Sequence, residues 1–501
     1  MAVGVLDRLG DMANPIAVKE MRQAVKGRIL TWMLVCFLMV QLVIMGIGML
    51  TSEYSGADYQ GGRTLLSFLL LALLVVCLLF LPAIFGLRLS SERTEGRIDL
   101  LFITDMSPYS VIWGKTLAAM GLTLLLFSAS MPFVTLTYLL RGVDLPSIFL
   151  MMGLNFVVVV LAIQAALFLA CFPGGLISRG IRFLFGLGGA FFLLSMMTSV
   201  SFAMLSSGIG SMLGTWDFWA PALTVIGFLL LGMGLLFVLS ATAISPASAN
   251  RAPVVRLYLL LIWLCSSVCC LLWFLDMRDY GLLLAWLICM LILFSLCFMA
   301  SLAERQSYGV RLRSKIPRNR LLRIPAFFLY SGAAGGISFS AGMIALTLGA
   351  FYLALFFSPY PRWAFNDDVH LQVLTCCLYF ICYGLTALMV RRLFFPPLSS
   401  NSMTVTIALL LLAAGSLIPF LFAWVVFRYP VDRIPDIWYL GNPLIVFIEK
   451  RTLEMTLTFT QIWAAVILGL NGPWFIRQIR NFKPLEEAAH DPAISQPVET
   501  E

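Results

Sequence analysis

Residues 64–87 read T-L-L-S-F-L-L-L-A-L-L-V-V-C-L-L-F-L-P-A-I-F-G-L, 24 residues without a charge. Wound as an α-helix at 1.5 Å per residue they reach about 36 Å, enough to cross roughly 30 Å of hydrocarbon. Neither a two-residue nor a 3.6-residue repeat of polar side chains interrupts them, so they leave no wet face for a strand or a surface helix. The stretch reads as a membrane span.

Eleven further runs of this kind follow the same criterion: 29–50, 116–140, 148–172, 183–205, 219–244, 257–275, 281–300, 326–357, 371–390, 403–427 and 455–475. The composition agrees. Of the 501 residues 61% are apolar and 12% charged, about half the charge of a soluble domain. So few charges would not cover a soluble fold of this length, and a disordered chain needs the opposite balance. Nucleic-acid binding needs a continuous basic face, which the sequence lacks. The expected fold is an all-α polytopic membrane protein with about twelve transmembrane helices.

Charge orients it. With the N-terminus in the cytoplasm, 25 of the 33 Lys and Arg fall in segments on that side, and the outer segments carry 8. Basic residues accumulate in cytoplasmic loops, so both termini are expected there, and the net charge of +8 is largely an orientation signal. The start of the chain, polar and basic to Arg28 and followed by a full-length span, does not resemble a cleavable signal. On this reading every Asp, Glu, Lys and Arg lies in a loop or at a span end. Gln41, Asn155 and Gln164 are the notable polar side chains within spans, expected as interhelical hydrogen bonders. The ninth run is long enough to tilt, kink or continue into the interface, and its Gly332, Gly336 and Gly342 would let a neighbour approach closely.

Little points to catalysis. The eleven cysteines sit in or beside apolar runs, and His370 and His490 are too few for a metal site. Asp276-x-x-Asp279 and Asp367-Asp368-x-His370 read as solvated turns. No catalytic, metal or directly bound cofactor site is expected. Proton- and ion-coupled carriers keep ionisable groups on their pathway. An electrically silent core therefore places the energy source outside the spans.

The informative cytoplasmic segment is 88–115, R-L-S-S-E-R-T-E-G-R-I-D-L-L-F-I-T-D-M-S-P-Y-S-V-I-W-G-K. Ile98, Leu100, Leu101, Ile103 and Met106 make a short, partly apolar helix that stops before Pro108, too short to span and suited to the membrane surface. These residues resemble the loop after the second span of ABC-2-type permeases, the membrane subunits of many bacterial ABC exporters. Glu92, Arg93, Gly96, Ile98, Leu100, Leu101, Thr104, Ser107, Ile112, Gly114 and Lys115 match that pattern in type and order. Arg97 replaces the usual Thr, Asp99 the usual Glu, and Asp105 stands where Pro is common. Asn14-Pro15-Ile16-Ala17-Val18-Lys19-Glu20-Met21-Arg22-Gln23 is similar to the amphipathic entry helix before the first span of these permeases. The resemblance covers about residues 10–245.

It implies a permease of the bacterial cytoplasmic membrane, driven by a separate ABC ATPase subunit that binds ATP–Mg. The short helix would dock in a groove of that ATPase. Glu92, Arg93 and Asp99 would supply polar contacts there, Gly96 the turn, and Lys19, Glu20 and Arg22 would belong to the entry helix. The chain's nearest approach to a phosphate-cradling G-x-x-x-x-G-K-[ST] loop is Gly114-Lys115-Thr116, with Tyr109 where the first glycine should be. The nucleotide site is thus expected on the partner.

Twelve spans are twice the six of a simple permease of this type. One explanation is a fused pair, 29–244 and 245–475, with a cytoplasmic tail at 476–501 and Glu304-Arg305 in the place of Glu92-Arg93. The basic loop 301–325 (Arg311, Arg313, Lys315, Arg318, Arg320, Arg323) lacks the rest of the pattern, and anionic lipid headgroups are its other reading. A homodimer or a second permease would then be needed. The outer segment 428–454 reads as an ordered interfacial loop. The rival functions are a major-facilitator-type secondary carrier, loosely echoed in Glu92–Arg97, and a non-transporting membrane scaffold.

Overall fold

In the computed structural model the described residues are 14–54, 60–96, 106–139, 143–172, 175–207, 214–246, 249–277, 279–357, 368–395, 403–427, 435–448 and 452–489. Among them every span is a helix, and twelve helices are long and apolar enough to cross a membrane. The chain is an all-α, multi-pass membrane protein. It divides into two compact units, Met1–Pro246 and Ala247–Glu501.

Unit 1 contains α1 (Pro15–Val25), α2 (Arg28–Tyr54), α3 (Gly61–Thr94), α4 (Pro108–Leu139), α5 (Leu145–Ala170), α6 (Leu176–Ser207) and α7 (Trp216–Ile244). Its centre is α3, where Leu66, Leu70, Leu73, Cys77 and Leu81 recur every three or four residues and are buried. They pack with Ala119, Leu122 and Leu126 of α4 and Val159, Ile163 and Leu167 of α5 in one cluster. Lipid tails are as apolar as leucine, so close packing and buried polar contacts, rather than water exclusion, favour this association. Gln41 makes one such contact, its Nε2 donating to the Leu69 carbonyl at 3.1 Å. A π-turn at Val76–Phe80 sits just before Pro82, whose missing N–H cannot continue an α ladder. In contrast α7 is almost bare, as a lipid-facing helix should be: Val238, Ser240, Ala241 and Ile244 are its buried residues.

Unit 2 contains α8 (Ala252–Met277), α9 (Tyr280–Leu302), α10 (Val310–Arg313), α11 (Arg320–Leu329), α12 (Ala333–Phe356), α13 (Val369–Phe394), α14 (Met403–Val425), α15 (Ile445–Ile448), α16 (Leu453–Asn481) and α17 (Leu485–Ala489). Here α13 is central, with Tyr379, Cys382, Leu385 and Leu388 buried. Tyr379 and Tyr383 donate their hydroxyls to the carbonyls of Leu440 (2.6 Å) and Gly441 (2.7 Å), which anchors the outer segment at 435–448. The flanking residues 428–434 and 449–451 lie outside the described residues.

Two expectations need correction. The helices run beyond the apolar runs: α3 continues to Thr94, α4 begins at Pro108 and α6 at Leu176. Hydrogen bonding inside a helix does not stop where the hydrocarbon does, so Lys115 and Arg256, placed in loops by hydropathy, are helical and buried. The ninth run, 326–357, is also not one helix. It breaks between α11 and α12 because the Phe328 and Tyr330 carbonyls turn out of the helical ladder to accept from Arg256 Nη1 at 3.0 and 2.6 Å. Several of its glycines are tight: a Cβ on Gly335 would collide with the Phe327 carbonyl oxygen, and one on Gly336 would lie 2.6 Å from Ser301 Oγ and from Arg256 Nη2, whereas Gly342 faces open space.

The paired acids are accounted for locally. Asp279 caps α9 by accepting from Gly281 N at 2.8 Å, while Arg278 lies outside the described residues. His370 packs against the rings of Phe351 and Tyr352, while Asp367 lies outside the described residues. All eleven cysteines are free.

Candidate functional site

The site is built where α1 meets the facing ends of α3 and α4. Asn14 starts it. Its Oδ1 accepts from Ile16 N at 3.0 Å, which caps α1, and its Nδ2 donates to the Ser110 carbonyl (2.7 Å) and hydroxyl (3.1 Å) in the first turn of α4. One side chain thus begins a helix and ties it down. Pro15 follows at the first helical position, where its fixed φ suits the helix.

Ile16, Glu20 and Ala24 recur at four-residue intervals and share one face of α1, the buried one. Lys19 and Arg22 are exposed. That face settles on α4 because Gly114 and Gly121, two turns apart, leave a notch. A Cβ on Gly114 would stand 2.8 Å from Ile16 Cβ and 2.9 Å from Asn14 Oδ1, and one on Gly121 3.0 Å from Met21 Cε.

The notch brings buried charge together. Glu20 and Lys115 are 2% and 3% exposed, and Lys115 Nζ lies 2.5 Å from Glu20 Oε1. The same ammonium is 2.8 Å from Glu92 Oε2 on α3, so one cation joins three helices. Arg88 Nη1 approaches Glu20 to 4.0 Å and is itself buried without a hydrogen-bond partner. Two acids and two bases leave the cluster formally neutral. Removing either Glu20 or Lys115, the two buried members, would strand its partner's charge in a dry site, a loss of about 3–5 kcal/mol. Beside it, Thr116 donates to Gln164 Oε1 at 2.9 Å. Gly114-Lys115-Thr116 therefore has three structural duties: a notch, an ion bridge and an interhelical hydrogen bond.

The remaining predicted site residues separate clearly. Arg93 donates to the Ala243 carbonyl at the end of α7, at 3.4 Å. Gly96, with φ at +69°, turns the chain away beyond the end of α3 in a left-handed conformation that other residues rarely take. Ser107 accepts from Ser110 N at 3.2 Å and caps α4. Asp99, Leu100, Leu101 and Thr104 lie outside the described residues. Glu92 and Arg93, read from the resemblance as contacts for a partner, are engaged within unit 1.

Sequence reasoning missed the triad. Glu20 and Lys115 are 95 residues apart, and nothing in either local pattern pairs them. A carboxylate in the middle of the apolar face of α1 was the available signal, since such a group needs a buried partner.

Unit 2 has its own charge cluster. Arg256 Nη2 lies 2.5 Å from Glu304 Oε1, and the other Glu304 oxygen accepts from Gly332 N at 2.8 Å. Asn250 Oδ1 accepts from both the N–H and the hydroxyl of Ser331, at 3.0 and 2.9 Å. These contacts join the start of α8, the end of α9 and the α11–α12 break. The basic loop is partly neutralised: Arg318 pairs with Glu486 and Arg323 with Glu487 on α17.

Chemically, the unit 1 site is a buried ion bridge between three helices. Among the described residues no three His, Cys, Asp or Glu converge on a possible metal position. Compared with protein-family models, characterised proteins and solved structures, the chain matches none.

Proposed function

We propose that this chain is the permease subunit of an ATP-driven ABC transporter, probing the cytosol with the segment between its second and third spans and exporting a substrate across a bacterial cytoplasmic membrane. A separate ABC ATPase would carry the nucleotide and its ATP–Mg. Both termini would face that subunit from the cytosolic side.

The observation that supports this reading is the frame around residues 97–105. One end leaves α3 at Thr94, just after Glu92, the other enters α4 at Pro108, about two turns before Lys115, and α3 and α4 are bridged to each other and to α1 through a buried ammonium. Force applied to the segment would move the ends of α3 and α4 and the entry helix together, because sliding any one of them away exposes an unpaired buried charge. The exposed Lys19 and Arg22 on the outer side of α1 leave cationic groups free to meet an acidic partner surface. Glu92 and Lys115 act as positioning residues, and direct contacts fall to the segment itself.

Co-expression of the chain with its genomic neighbours, followed by purification on a tag on this chain, tests the reading. A nucleotide-binding subunit should come down at a fixed stoichiometry, with ATP hydrolysis that depends on the complex. A chain that purifies free of any such subunit and moves cargo on an ion gradient alone would overturn it.

A further inference from the structure

A cleft of about 790 Å³ opens in unit 1 between α3, α5 and α6. It follows α3 from Leu78 to Ser91, about 20 Å of helix, which exceeds the roughly 15 Å of hydrocarbon in one leaflet. Its walls are apolar and are kept apart by small residues. Ala162, Ala166, Gly186 and Gly189 line it, and no atom lies within 4 Å of where a Gly189 Cβ would be. The π-turn before Pro82 shapes the α3 side, since Leu78, Leu79 and Pro82 all face the space.

One end of the cleft is cationic. Arg179 and Arg182 line it there, beside Ser90 and Ser91. Among the described residues neither guanidinium has a carboxylate within ion-pair distance. Arg182 is held by Ser178 Oγ at 2.5 Å and the Phe172 carbonyl at 3.0 Å. Arg179 makes a long contact of 3.4 Å to Thr94 Oγ1, and its Nε is buried without a partner. Glu95, the acid at this end of α3, is engaged by Ser91 Oγ at 3.0 Å. Both arginines also lie in the first two turns of α6, where the helix dipole is positive and no acid offsets it. The local potential therefore favours an anion, and the trough below it favours a chain of methylenes.

We propose that this cleft binds one anionic phospholipid, with an acyl chain along the α3–α5–α6 trough and the phosphate on Arg179 and Arg182. A free phosphate would meet the arginines but leave 20 Å of apolar trough unfilled, about the length of α3 from Leu78 to Ser91. A zwitterionic lipid would fill the trough but bring its own cation to the arginines. The site does not depend on the transporter reading and stands or falls separately from it.

Native mass spectrometry of the full chain in a mild detergent, titrated with phosphatidylglycerol, phosphatidylcholine or inorganic phosphate, tests the site. Phosphatidylglycerol should be retained about thirtyfold better than phosphatidylcholine, as expected for two basic residues near a headgroup at about 1 kcal/mol each. R179Q/R182Q should abolish that preference, R179K/R182K should keep most of it, and Gly189→Phe should reduce retention of both lipids by filling the trough. Equal retention of the two lipids by the unaltered chain would overturn the proposal. So would an unchanged preference in R179Q/R182Q, or displacement of phosphatidylglycerol by equimolar phosphate.

Discussion

Each unit buries a cation where the ends of several helices meet, but the two cations are held differently. In unit 1 Lys115 is held by two carboxylates from two other helices, Glu20 on α1 and Glu92 on α3. In unit 2 Arg256 has one carboxylate, Glu304, and two backbone carbonyls, those of Phe328 and Tyr330. An ammonium is a point charge on a flexible stem, whereas a guanidinium is a planar fork with fixed donor directions. The unit 1 cluster is thus a joint between separate helices. The unit 2 cluster staples a break in the chain, supplying the hydrogen bonds that the α11–α12 junction gives up.

The largest expected effect comes from breaking the joint. Lys115→Met leaves Glu20 buried and uncompensated and should lower stability by about 3–5 kcal/mol, read as a fall in the thermal midpoint in detergent. Adding Glu20→Met should restore much of that loss, because an apolar pair replaces a stranded charge. If the double variant is no more stable than the single one, the two charges are not the coupled pair described here.

Next is the staple. Arg256→Lys keeps the charge opposite Glu304 but cannot reach both carbonyls, and a hydrogen bond to a charged group is worth about 1.5–3 kcal/mol. Amide exchange should accelerate at residues 328–333 while α1 stays protected. Equal acceleration in α1 would erase the distinction between the clusters.

A smaller effect separates the notch from the joint. Gly114→Ala puts a methyl group against Ile16 and Asn14 and should cost about 1–3 kcal/mol as overpacking, with limited proteolysis cutting α1 free ahead of any span. Gly96→Ala meets no neighbour and should cost only the left-handed backbone term, about 1–2 kcal/mol, confined to the end of α3.

The smallest effect is on pH. Arg323 holds the Glu487 carboxyl below its usual range, so the α17 contact is fully formed above the ordinary carboxylate pKa of about 4.3 and is lost as pH falls through the lowered value. Protection of residues 485–489 should vanish only in that acid range. Its loss near pH 6 would mean that another group controls the contact.

The spans were legible because each carries its own evidence, 19 or more uncharged residues in succession. The polar contacts were legible only in part. Gln41 and Gln164 stand out in apolar surroundings and do bond between helices. Asn155, read the same way, has its side-chain nitrogen buried without a partner. What the sequence hides is pairing at a distance. Nothing around Arg256 announces that it takes carbonyls more than 70 residues away, so 326–357 reads as one helix. Lys115 looks like part of a phosphate loop or a docking motif until Glu20 is folded against it. Hydropathy also marks where lipid ends and not where a helix ends, which is why charged residues assigned to loops sit in helical turns.

The central claim is that the 88–115 segment receives motion from an ATPase and passes it through the Glu20–Lys115–Glu92 joint. Hydrogen–deuterium exchange on the complex with its co-encoded ATPase, with and without ATP–Mg, examines this most directly. Binding of the ATPase should protect residues 97–107, and ATP–Mg should then change exchange in α1 and in the facing ends of α3 and α4 together. Unchanged exchange in all four segments, with the ATPase stoichiometrically bound, would contradict the account.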